Sequence, residues 1–135
     1  MLAQNNFREP DKELDLLASR VIDAAFQVHR TLGPGFLESV YEEALCIELK
    51  ARGNSFVRQK EFAVTYGIQK IGTGRIDLLV EEKLIVELKA VDALVPIHTA
   101  QVISYLKASG LHLGLLINFN VPLLKEGIKR IVFTK

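Results

Sequence analysis

Apolar positions in the first third of the chain recur at helical intervals. From Asp11 they fall at Leu14, Leu17, Val21, Ala25, Val28 and Leu32, steps of three and four that share one face. Pro10-Asp11 offers a start and Gly33-Pro34-Gly35 a stop, so the spacing predicts a helix over 11–32. A second helix is predicted from Phe36 to Arg52, ended by Gly53-Asn54. The short Gly-Pro-Gly link makes the two helices turn sharply against each other.

After Gly53 the period falls to two. Ser55 to Tyr66 is rich in aromatic and β-branched residues and reads as a strand, which the glycines between Gly67 and Gly74 are expected to break. Arg75–Val80 and Leu84–Lys89 read as two short strands of a hairpin turning at Glu81-Glu82-Lys83. Pro96 opens a third helix, Ile97 to Ser109, closed by Gly110. His112–Phe119 is nearly all apolar, as in a strand covered on both faces. A turn or single helical turn over Pro122–Gly127 and a last strand over Ile128–Phe133 follow. The order ααβββαββ predicts an α/β fold, with the third helix crossing between two parallel strands.

Composition narrows the class. At 135 residues the chain is about one domain long, and neither a repeat nor a linker divides it. Residues 1–135 are therefore read as one domain, with 1–10 as a flexible arm. Hydrophobic residues make up 49% and charged residues 24%, which excludes a disordered chain. Seventeen Lys/Arg against sixteen Asp/Glu leave a net charge of +1, which excludes a polybasic coat or an acidic tail. A lone cysteine, Cys46, excludes a disulfide framework and a cysteine-based zinc site, and its apolar neighbours mark it as core packing. No signal-like core opens the chain and no apolar run approaches the ~18 residues of a membrane span, so a cytoplasmic location is expected.

The informative residues are charges that break their own pattern. An odd-length hairpin loop places Ile76, Leu78 and Val80 on one apolar face with Leu84, Val86 and Leu88. The other face then sets Asp77 directly across from Glu87, with Lys89 two residues on. Side chains so opposed are about 5 Å apart at Cβ, and two like charges there need a cation between them or a shared proton. Oxygen donors converging in this way suit a hard divalent cation. The plainer reading is two solvent-facing charges on a half-exposed hairpin, although both strands are otherwise apolar. Glu38 shares a helical face with Tyr41 and Leu45, yet it also lies in the first turn, where Gly35 as the cap would make it a capping residue. His98, Gln101 and Tyr105 share a stripe of the third helix that reads equally as a solvated face. No serine, histidine and carboxylate form a nucleophilic set, and Gly72-Thr73-Gly74 lacks the rest of a phosphate loop.

Taken together these residues resemble the PD-(D/E)XK nuclease superfamily, and within it the family named for a GxxExxY motif. That motif stands as Gly35-Phe-Leu-Glu38-Ser-Val-Tyr41. Asp77 follows, then Glu87-Leu88-Lys89, then Gln101-Val-Ile-Ser-Tyr105, which is similar to the QxxxY helix motif of RecB-type nucleases. Further likeness lies in Leu32–Phe36, Arg58-Gln59, Leu115–Phe119 and Gly127–Arg130, so that it spans 14–132. Ile76 stands where the superfamily usually has proline, a position that varies among its members. The resemblance implies a restriction-endonuclease-like mixed sheet of four to five strands flanked by helices. It implies that Asp77, Glu87 and the Leu88 carbonyl ligate Mg²⁺ or Mn²⁺, with Glu38 reaching the ion directly or through water. Lys89 would orient the attacking water, and Gln101 and Tyr105 would steady the site or touch the nucleic-acid backbone.

Two functions follow as expectations. One is a metal-dependent nuclease, on DNA before RNA; the other is a non-catalytic binding or structural subunit on the same fold. The presence of Glu38, Asp77, Glu87 and Lys89 together favours the first. The near-neutral charge favours the second, since phosphate affinity rests on Lys and Arg. The local basic groups are Arg52, Arg58 and Lys60, and Lys125, Lys129 and Arg130. A homodimer or a larger partner is therefore expected to supply binding surface.

Overall fold

A computed structural model describes residues 10–134; the arm expected over 1–10 lies outside the described residues except for Pro10. The elements are α1 (Lys12–Leu32), α2 (Glu38–Ala51), β1 (Phe56–Tyr66), β2 (Gln69–Val80), β3 (Leu84–Lys89), α3 (Pro96–Ser109), β4 (Leu113–Asn118) and β5 (Ile128–Val132), with a 3-10 turn at Leu124–Gly127. The five strands form one sheet in chain order. Only β3 and β4 run parallel, joined through α3 as the sequence pattern predicts.

The two helical faces explain the hydrophobic pattern. Leu14, Leu17, Val21, Ala25 and Val28 of α1, with Tyr41, Leu45 and Leu49 of α2, pack on Leu78, Val80, Leu84, Val86, Leu88, Leu113, Leu115 and Ile117. On the opposite face Val102 and Leu106 of α3 pack on Ile76, Ile85, Leu116 and Ile131. Covered from both sides, all six residues of β4 are buried. Cys46 is buried in the α1–α2 layer.

Three expectations are corrected. The glycines after Tyr66 do not end the strand: β1 and β2 form one long hairpin, with Tyr66 paired to Gln69 around a two-residue turn. Gly67 supplies the positive φ, 64°, that such a turn takes at its first central position. Gly74 then continues β2, because its partner Phe62 lays its ring over it and a Cβ there would collide with that ring. The second helix begins at Glu38 with Leu37 as its N-cap, so Gly35 is not the cap and Glu38 is the first helical residue. Gly33 and Gly35 instead have φ of 68° and 109°, which end α1 and redirect the chain.

The third correction concerns sides of the sheet. Leu78 and Val80 face α1 and α2, but Ile76 faces α3, so simple alternation fails between them. The β1 ladder skips one residue there: Arg58 pairs with Leu78 and Lys60 with Ile76, while Gln59, at φ 52°, has no ladder partner. Phe56 and Phe62 change sides across the same point. Asp77 sits at the switch.

Substituting Gly74→Ala is expected to cost about 1–3 kcal/mol by overpacking. Urea unfolding should show this loss, with Phe62→Leu in the same chain recovering part of it.

Candidate active site

The hairpin register sets the first two acids. Leu78 pairs with Val86, Leu79 with Ile85 and Val80 with Leu84, around a three-residue turn. One step further out Asp77 stands opposite Glu87, as the odd-length loop predicts. There the side chains take over from the ladder. The Asp77 N–H donates to Glu87 Oε2 at 2.8 Å, and the Leu88 N–H donates to Asp77 Oδ2 at 2.9 Å. Glu87 is only 4% exposed and Asp77 half-buried, so this is no solvent-facing pair.

Burial and mutual repulsion dominate the electrostatics. Desolvation, then the Asp77 charge, pushes the Glu87 carboxyl up to about 8. Asp77 is raised mainly by burial, with Glu42 also pushing it up, while the Leu88 amide and Lys89 act against the rise. Glu38 at the start of α2 is raised by burial, then by Asp77. Lys89 is the cation that acts on all three. Two carboxylates about 5 Å apart repel by about 3 kcal/mol at an effective dielectric near 20, enough that the pair holds a proton or attracts a cation.

Glu38 is placed by the tyrosine of its motif. Tyr41 is fully buried and stacks on Phe119 at 4.6 Å. Its hydroxyl donates to the Gly33 carbonyl at 2.6 Å and accepts from the Phe36 N–H at 3.2 Å. Tyr41 thereby ties the α1–α2 link to the core and brings Glu38, itself exposed, to the rim of the acidic pair.

From the other face, α3 contributes Tyr105. Its ring meets Phe62 edge-on at 5.0 Å. Burial, then Glu87 and Asp77, raise its hydroxyl pKa, and the Gln101 side chain, one helical turn back, acts against that rise. His98 of the same stripe serves the helix end instead, where its Nδ1 accepts from the Val95 N–H at 3.1 Å. The stripe is thus partly site and partly cap.

Sequence reasoning missed three residues. Glu42 is 7% exposed, accepting from Arg58 Nε at 3.0 Å and from Gln59 Nε2 at 3.1 Å. Its signal was available, because it shares the α2 stripe of Leu45, Cys46 and Leu49, where a charge is anomalous. Asn118, 1% exposed, accepts from the Val91 N–H at 3.0 Å and donates to the Val91 carbonyl at 2.9 Å. It pins the chain just after Lys89, and it was the one polar side chain inside an apolar strand. Gln59 stood in the Arg58-Gln59 likeness without a role, since nothing in the sequence marks a glutamine as left-handed.

Asp77 and Glu87 are brought together, and Glu38, Lys89 and Tyr105 feel their charge. Among the described residues, however, no three Asp, Glu, His or Cys side chains group tightly enough to form a ready-made metal site. The donor chemistry nevertheless fits a divalent cation. Asp77, Glu87 and Glu38 offer hard oxygens against a single nearby ammonium, a shortage of positive charge that such an ion relieves. The expected basic groups are largely committed elsewhere. Arg58 bonds Glu42 and Glu43, Arg52 bonds Glu48 and Arg130 bonds Asp15. A cavity of about 560 Å³ lies beside the Glu81–Lys83 turn, at the opposite end of the hairpin from the acids.

Fold and site together define a mixed-sheet α/β domain whose acids gather where two central strands part. A family model described as the PD-(D/E)XK nuclease superfamily matches residues 15–131, and the chain belongs to that superfamily. No curated protein matches it. Among the described residues no helix is long and apolar enough to cross a membrane.

The raised Glu87 carboxyl makes a pH prediction for the metal-free protein. Its folded value of about 8 exceeds the ordinary 4.5, so between these limits the folded state holds a proton that the unfolded chain releases. Stability should therefore fall as pH rises from about 5 to about 8. Thermal melts in EDTA check this, and Glu87→Gln should flatten the dependence.

Proposed function

We propose that this domain is a divalent-metal-dependent phosphodiester hydrolase acting on nucleic acid, DNA before RNA, of the GxxExxY group of its superfamily. The observation that carries the reading is the Asp77–Glu87 pair, one acid buried and the other half-buried, in the gap between β2 and β3, with Lys89 beside it. Superfamily membership supports it.

In this reading Asp77 and Glu87 would hold Mg²⁺ or Mn²⁺ together with the Leu88 carbonyl, with Glu38 close enough to assist directly or through a water. When bound, the ion would polarise a phosphoryl oxygen and lower the pKa of a bound water. Lys89 would orient the attacking water and offset the negative charge developing on the phosphate. Tyr105 remains a protonated donor beside the acids and can bond a phosphate oxygen. The apolar layers on both faces keep the effective dielectric around these charges low, which strengthens each interaction.

The commitment of Arg52, Arg58 and Arg130 to acids favours a second reading, a non-catalytic binding or structural subunit. Under either reading a second copy or a larger partner supplies the missing basic surface.

Mn²⁺ should raise the melting temperature of the wild-type protein and leave Asp77→Ala unchanged. DNA should be cut only with Mg²⁺ or Mn²⁺ present, and Lys89→Ala should slow cleavage about a hundredfold or more. Metal-dependent DNA binding without cleavage would sink the hydrolase reading in favour of the second.

A further inference from the structure

The face switch in the β1–β2 hairpin has a side-chain support that the proposed chemistry does not use. Gln59 is the one residue of β1 with no ladder partner, and its φ of 52° costs a non-glycine residue about 1–2 kcal/mol. Such strain persists where surrounding contacts impose it. Here they come from α2. Gln59 Nε2 donates to Glu42 Oε1 at 3.1 Å and approaches Oε2 at 3.4 Å. Glu42 is in turn held by Arg58 Nε at 3.0 Å, and Arg58 also bonds Glu43 at 2.8 Å. Across the hairpin Gln59 falls opposite Asp77, between the Arg58–Leu78 and Lys60–Ile76 pairs, and its side chain acts on the Asp77 carboxyl to lower its pKa. A carboxylate only accepts, so Glu42 fixes the amide with its NH₂ group inward, and that group has a second hydrogen to give.

We propose that Gln59, standing on Glu42 and Arg58, is a positioning residue that holds the Asp77 carboxylate in the site. What Asp77 does there rests on the hydrolase reading; how it is held does not. The chain Arg58–Glu42–Gln59–Asp77 links α2, which carries Glu38, to the strand that carries Asp77. It therefore sets the spacing between two of the acids, although neither Gln59 nor Glu42 touches substrate.

Gln59→Gly tests this, because glycine adopts a positive φ without strain and the variant keeps its backbone while losing the amide. The first readout needs no metal: the Leu88 N–H bonds Asp77 Oδ2, so its hydrogen exchange reports where that carboxylate sits. In EDTA, exchange at Leu88 should quicken about tenfold while β4 amides stay protected. Mn²⁺ affinity by calorimetry should fall about tenfold. Glu42→Leu should reproduce both losses, and Glu42→Gln, which keeps an oxygen for the Gln59 amide, should preserve Leu88 protection. Unchanged Leu88 exchange in Gln59→Gly overturns the proposal. If the wild type takes up no Mn²⁺ but Leu88 still responds, the hydrolase reading falls and the positioning role stands.

Discussion

Two carboxylates stand in the sheet where backbone carbonyls would ordinarily continue the ladder, and keeping them there constrains everything nearby. A buried carboxylate is tolerated only when hydrogen bonds or opposite charge replace the water it has lost. Asp77 and Glu87 each take one backbone N–H from across the gap. Those bonds meet the need of one oxygen on each acid without removing the repulsion between them. The remaining demand falls on Lys89, on a shared proton or on a bound cation.

The rest of the fold reaches this gap from both sides. Tyr41, locked on Phe119, sets the entry to α2 and with it Glu38. Phe62 packs edge-on against Tyr105 on the opposite face. Asn118 fixes the chain as it leaves β3, and the Lys89 carbonyl accepts from the Phe119 N–H at 2.9 Å. The acids thus lie near the carboxyl end of β3, where the chain leaves the sheet for the crossover helix. Ligand sites of α/β sheets commonly occupy that end of the strands.

Much of this was legible because burial leaves periodic traces. The apolar stripe of α1, the six-residue run of β4 and the three-residue turn between β2 and β3 each predict what is found. The turn length alone sets Asp77 against Glu87. The glycine-rich stretch misled, because glycine signals a break unless a neighbouring ring covers it, and the Phe62 ring that covers Gly74 lies twelve residues earlier in the chain. Glu42 could have been found by the same anomaly that drew attention to Glu38.

By itself the sequence determined the order of elements, the parallel crossover and the opposition of the two acids, since these follow from local periodicity, turn length and chain connectivity. Tertiary structure decided that Ile76 faces α3, that Gln59 turns left-handed and that Tyr41 reaches back to Gly33. Each of these depends on contacts between elements distant in the chain or on backbone angles that residue identity leaves open. An alternating strand pattern carries no mark of the point where the strand changes sides, beside a buried glutamate on another element.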